Sequence, residues 1–166
     1  MENSFRKIML DDIATYSGWP ARLLGLDPFE IKQKNASEVI REFGDEKWGH
    51  LLKLFSGRPT FDLVDVEAME KDPKKIIPCF DKKLGFYLIE SKQADGQVIK
   101  YFQETLSHYA SDASCIVELG AGYGAKIFNL SNSPKIKDLE VFAAEYTQSG
   151  CDLMNLISKT INKNIK

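Results

Sequence analysis

The residues with the most chemical content lie together near position 120. The run Glu118-Leu119-Gly120-Ala121-Gly122-Tyr123-Gly124 places a carboxylate, three glycines and an aromatic ring side by side. The segment before it, Ser114 to Leu119, reads as a buried strand, and Ala125 to Leu130 as the start of a short helix. In an open α/β sheet such a strand-to-helix junction is where ligands bind, at the carboxyl ends of the strands. Glycines let a ligand lie against the backbone and allow φ values that side chains resist. N–H groups at the following helix start favour an anion. A second acid, Glu145, stands 25 positions after Gly120, at the end of the next strand, Leu139 to Ala144. A carboxylate there can accept hydrogen bonds from both hydroxyls of a ribose, as the acid about 20 residues into a dinucleotide fingerprint does. A plain turn that binds nothing would leave both acids without a reason.

Two nucleoside cofactors compete for this pattern. Gly120, Gly122 and Ala125 satisfy a loose GxGxxA dinucleotide pattern, in which the anion is a pyrophosphate. Glu118 weighs against it, because a dinucleotide-binding strand carries a small apolar residue at that place. An unpaired carboxylate buried there costs several kcal/mol in order of magnitude, so it calls for a cationic or donor-rich neighbour. The ammonium of a methionine moiety meets that need, with the methionine carboxylate as the anion. The third glycine also falls at Gly124, giving GxGxG. Both details weigh against a dinucleotide and leave Glu118, Gly120, Ala121, Gly122, Tyr123, Gly124 and Glu145 as candidate residues of an S-adenosyl-L-methionine site. Tyr123 either stacks on the ligand or covers the loop, and Glu145 has the plainer reading of a helix-start acid.

Little else on the chain competes for a catalytic role. His50 and His108 are the two histidines, and they read as surface or packing residues whose spacing suits no metal. Cys79, Cys115 and Cys151 are far apart and form no CxxC pair, which fits a reducing cytoplasm better than disulfides or metal. The 166 residues carry a formal net charge of -2, with basic and acidic residues interspersed, so nothing points to nucleic acid or an anionic membrane. No stretch approaches the roughly 20 apolar residues that span a bilayer, and the N-terminus lacks a signal-peptide core.

The elements that must hold these residues differ along the chain. Residues 1–112 read as a mainly helical N-terminal or cover region, and 113–166 as the part that carries the site. Ile8, Met9, Ile13 and Tyr16 predict a helix over Arg6 to Tyr16, ended at Ser17 to Pro20. Asn35 followed by Glu38 resembles a capping box and opens a helix through Val39, Ile40 and Phe43, with Gly44-Asp45 as a candidate break. Trp48, Leu51, Leu52, Leu54 and Phe55 continue the pattern until Gly57 and Pro59. Phe61, Leu63 and Val64 suggest a short strand, Asp72-Pro73 and Pro78 loops, and Leu84 to Ile89 a strand or lid. Asp95-Gly96 is read as a turn into a helix from Val98 to Tyr109. After the glycine loop, Asn132-Ser133-Pro134 turns the chain into the second strand. Thr147 to Thr160 is then a helix with Leu153, Met154, Ile157 and Ile161 inward, and Lys159 to Lys166 a frayed end. This β-α-β-α order implies parallel strands joined by a right-handed crossover.

Glu118-x-Gly120-x-Gly122-x-Gly124 resembles motif I of class I S-adenosylmethionine-dependent methyltransferases, and Glu145 resembles their ribose-binding acid. The resemblance covers about residues 114 to 160. It implies an α/β fold: the first βαβα unit of a Rossmann-like methyltransferase domain behind a helical region. A helical extension before an ELGAGYG-type motif, with YSGWPARLLGL and EKWGHLL, is similar to methyltransferases of bacterial polysaccharide clusters, which implies O-methylation of a sugar or small molecule. The family's sheet has seven strands, so the resemblance further implies a truncated product, a split protein completed by a second chain, or a fragment, weakly active or inactive alone. It assigns no catalytic base. A non-catalytic cofactor-binding subunit, a gene remnant and a nicotinamide-dependent oxidoreductase fragment are the alternatives.

Overall fold

Apolar runs over Cys115–Leu119 (β4) and Glu140–Ala144 (β5) give two strands that pair in parallel, with Glu118 opposite Ala143 and Leu119 opposite Ala144; β4 is not the buried strand its run suggests, since Val117 and Leu119 on it are exposed. Between them run the glycine loop and the helix Ala125–Leu130 (α7); Gln148–Thr160 (α8) follows β5. The computed structural model describes residues 5–23, 25–26, 33–109, 112–134, 136 and 138–166. Leu24, within the YSGWPARLLGL stretch, lies outside the described residues. The chain is mixed α/β, and it divides into two units, Met1–Gln33 with Asp72–Val98 and Lys34–Lys71 with Ile99–Lys166.

The first unit is built on three antiparallel strands in the order β1-β3-β2: Arg6–Lys7, Gly85–Glu90 and Ile76–Asp81. The predicted helix over Arg6 to Tyr16 is replaced by β1, a 3-10 turn at Leu10–Asp12 and the single helical turn Ile13–Tyr16 (α1), because Arg6 and Lys7 pair with Leu88 and Tyr87. A new helix, Trp19–Leu23 (α2), starts where the sequence predicts a break. Pro78 lies in β2 and not in a loop; β2 is an edge strand, where a residue without N–H is tolerated. Tyr87, Ile89 and Ala94 form a small core, and the Tyr87 hydroxyl bonds Gln97 Oε1 at 3.0 Å.

Ser91–Tyr109 (α6) begins seven residues earlier than the glycine signal predicts. Its first N–H groups find partners in the preceding loop: Ser91 N–H donates to Lys75 O and Lys92 N–H to Pro73 O. Those bonds satisfy groups that a helix start leaves orphaned, and Gly96 is carried inside the helix.

In the second unit, Ala36–Val39 (α3), a π-helical stretch Ile40–Trp48 and Gly49–Ser56 (α4) form one continuous run, followed by Leu63–Glu70 (α5). Asn35 caps it as predicted: its Oδ1 accepts from Glu38 N–H at 3.0 Å, and Glu38 Oε2 accepts from Asn35 N–H at 2.9 Å. Gly44-Asp45 does not break the helix; it widens to π. The expected strand at Phe61 to Val64 does not form: Asp62 and Asp65 make a second reciprocal cap, at 3.0 and 2.9 Å, and Leu63 and Val64 open α5. Trp48, Leu51, Phe55, Phe61, Leu63 and Val66 share one core with Tyr123, Phe128, Leu153, Met154 and Ile157. The helices of 34–71 are therefore packed on the glycine-loop region. Lys166 is not frayed: its N–H donates to Val141 O and its O accepts from Ala143 N–H, both at 2.9 Å, along the edge of β5 away from β4.

Among the described residues no helix is long and apolar enough to cross a membrane.

Candidate functional site

The register of β4 and β5 carries Gly120 and Glu145 out of the sheet at the same level. Gly120 and Ala121 N–H both donate to Ala144 O, at 2.8 and 3.1 Å, so the loop starts by folding over the end of β5. Gly120, Gly122 and Gly124 all have left-handed φ, of 69°, 59° and 84°. Such values are costly for side chains, which is the physical reason for three glycines here. They differ in what surrounds them. A Cβ on Gly122 would lie 2.9 Å from the Trp48 ring, and one on Gly124 within 3.0–3.2 Å of Phe128 and Met154, whereas a Cβ on Gly120 would meet nothing within 4 Å.

Glu145 is drawn directly onto the loop. Its Oε2 accepts from Gly122 N–H at 2.8 Å; its Oε1 accepts from Thr147 N–H at 2.9 Å and Thr147 Oγ1 at 2.7 Å. Burial pushes the carboxyl up, but these donors outweigh it and hold it below the usual carboxylate range. Thr147, itself buried, thus spends its hydroxyl on Glu145 and makes no cap on α8. Gly124 N–H closes back on Ala121 O at 2.8 Å. The N–H groups of all three glycines therefore have partners within the protein.

Glu118 is half-buried on β4 and points to the first turn of α7, where its Oε2 accepts from Ile127 N–H at 3.2 Å. Burial pushes its carboxyl up, against the pull of Lys126 and of the Ile127 N–H. The structure brings Glu145 and Gly122 into contact, while Glu118 engages the helix after the loop. The two acids are in different electrostatic states: one rich in donors, the other short of them.

Tyr123 is 3 % exposed, so its side chain covers the loop from within and leaves only its backbone to a ligand. Its ring packs edge-on to Trp48 at 5.2 Å, and its hydroxyl donates to Glu70 Oε2 at 2.6 Å. Lys47 Nζ bridges to Glu70 Oε1 at 2.9 Å and lies 4.4 Å from the Trp48 ring centroid. Glu70 is pushed up by burial, but Tyr123 and Lys47 bring it below its ordinary value. Asn129 Nδ2 donates to Glu67 Oε1 at 3.0 Å. Trp48, Lys47, Glu67 and Glu70 were not singled out as site residues by sequence reasoning. The signal available was weak: acids at helical spacing on a segment with a buried-type tryptophan.

Among the described residues there is no cluster of three or more histidine, cysteine or acidic side chains that could hold a metal, and no buried side-chain nitrogen or oxygen lacks a partner. Compared with known proteins, the chain matches no protein-family model, no curated protein and no solved structure.

Proposed function

We propose that the β4–loop–β5 junction binds a nucleoside cofactor, S-adenosyl-L-methionine, and that the chain serves methyl transfer to a sugar or other small molecule. The observation that carries this reading is Glu145: a carboxylate at the end of one parallel strand, held against a loop of three left-handed glycines at the end of its neighbour. A carboxylate offers about four acceptor positions, and three are used here. A ribose diol needs two, so it gains both bonds only if Gly122 N–H releases one. Glu118 supports the choice of cofactor. It is a half-buried carboxyl with one backbone donor, the pull of Lys126 does not offset its burial, and an ammonium group would supply the charge it lacks. Gly120 is the loop residue with open space beside it, and there a ligand can lie against backbone.

When bound, the cofactor supplies a methyl group activated by its positive sulfur, and the protein's part is orientation and exclusion of water. Glu145 orients the pentose and Glu118 the amino-acid head.

The test is calorimetric titration of the purified chain with S-adenosylhomocysteine and, separately, with NAD. Binding of the former, weakened about tenfold or more in Glu145→Gln by loss of a charge-assisted bond, is the expected result. Binding of NAD alone would move the assignment to a nicotinamide enzyme, and binding of neither would reject a nucleoside site. The loop's internally satisfied N–H groups favour one second reading, a binding module without turnover; incubation with radiolabelled cofactor and candidate sugars separates the two.

A further inference from the structure

The helical run from Ala36 to Ser56 is π-helical over nine residues, Ile40–Trp48, and the last bond of that stretch sits where the run meets the glycine loop. Gly49 N–H bonds to Gly44 O, five residues back, in place of the α-helical four. Both ends of that bond are glycine. A Cβ on Gly49 would lie 2.6 Å from Gly44 O, so this wide turn tolerates no side chain there. At Gly44 a Cβ would meet Ile40 and Thr147 at ordinary van der Waals distance, 3.6 and 3.7 Å, so Thr147 packs on this position without filling it. The same Gly44 carbonyl accepts a second bond from Ser149 Oγ at 2.6 Å. The turn is thus pinned to the start of α8 on one side. On the other it delivers Trp48, 7 % exposed, onto Gly122 and Tyr123. A helix with 3.6 residues per turn rotates about 100° for each residue, so removing one extra residue from the turn swings the side chains beyond it by about that angle.

We propose that this π turn is a register device that seats Trp48 as a lid on the glycine loop, and that its relaxation to α-helical register turns Trp48 away and opens the loop. The device rests on the nucleoside-site reading and deepens it: in the closed state Glu145 is bonded to Gly122, and the open state is the one that admits cofactor. Thr147 joins the two halves, since its methyl side packs on Gly44 while its hydroxyl holds Glu145. A lid movement at Gly44 therefore loosens the acid that must release Gly122.

The chain has two tryptophans, so a Trp19→Phe background leaves Trp48 as the only indole reporter. In that background Gly49→Ala forces the turn to change. The expected result is a red-shifted emission, several-fold stronger quenching by acrylamide and faster amide exchange over 120–124, with helix content retained and exchange over β2 and β3 unchanged. A folded Gly49→Ala chain with Trp48 as shielded as before overturns the proposal. If that variant does not fold, Ser149→Ala decides: faster exchange at Gly49 and over 120–124 supports the device, and unchanged exchange there overturns it. S-adenosylhomocysteine is then titrated into parent and variant. Tighter binding by the opened variant is expected, because the cost of opening is already met. Opening without binding by either chain would sink the cofactor reading and leave the lid standing.

Discussion

Gly150 occupies the first turn of α8, where helix propensity alone favours alanine by at most about 1 kcal/mol. Packing opposes that gain. A Cβ there would lie 2.7 Å from Glu145 Cγ, 2.9 Å from Thr147 Oγ1 and 3.1 Å from Gly122 O. None of these atoms retreats cheaply: the first carries a carboxylate held by three hydrogen bonds, the second makes one of them, and the third is loop backbone. Relief costs either overpacking strain, about 1–3 kcal/mol, or bonds to a charged group, about 1.5–3 kcal/mol each. Either exceeds the propensity gain, so Gly150→Ala is expected to destabilise the second unit by about 2 kcal/mol. Gly96 in α6 is the control. It is exposed, a Cβ there meets nothing within 4 Å, and Gly96→Ala is expected to stabilise by about 0.5–1 kcal/mol. Urea unfolding measures both, monitored by Trp48 fluorescence in a Trp19→Phe chain for the second unit and by far-UV circular dichroism for the helices of both. An unfolding midpoint for Gly150→Ala at or above its parent would show that Glu145 is not tightly held on the loop, and the latch between Glu145 and Gly122 would be wrong.

Three further outcomes rest on the same geometry. Glu145 has a folded-state pKa below its unfolded value and Glu118 one above. Stability from Glu145 is thus complete above the unfolded carboxylate range, near about 4.3, and lost as pH falls through its lower folded value. Folding instead favours protonated Glu118, so stability is lost as pH rises through its raised value. Glu145→Gln should lower the urea midpoint at neutral pH with the loss shrinking in acid, and Glu118→Gln should match or raise it at neutral pH with the gain fading in acid; identical pH profiles for the two would refute the assignment. Tyr123→Phe removes the hydroxyl from Glu70 and leaves that half-buried carboxylate to Lys47 and the longer-range pull of Lys71, for a loss of about 1–2 kcal/mol. Its Trp48 emission should remain blue-shifted, which differential melting and fluorescence will check. Asp62→Ala removes the cap of α5 and should cost about 1 kcal/mol, with amide exchange accelerated first at Asp65.

What could be read from the chain was what is local. Strand, glycine loop, helix and strand from Cys115 to Ala144 arise from apolar runs separated by glycines, and the start of the helical run at Asn35 arises from a cap four residues long. One misreading was local, at 61–64, where the Asp62–Asp65 cap starts a helix in place of a strand; others arose where a partner distant in sequence decided the outcome. Arg6 and Lys7 joined a strand because β3 offers them an edge, and α6 started early because the 72–75 loop supplies carbonyls to its first N–H groups. The glycine loop shows the same limit at the candidate site. Three glycines at alternate positions look equivalent in sequence, and all three do take left-handed φ. Packing then separates them. Gly122 makes room for Trp48 and Gly124 for Phe128 and Met154, so at these two positions the absent Cβ serves the protein's own core. At Gly120 no atom takes the space that is left. A glycine pattern of this kind thus mixes residues needed for closure with one that faces outward, and the pattern alone cannot apportion them. With Trp48 seated, the side beside Gly120 and Glu145 is the one the core has not already filled, and a ligand meets the loop there first.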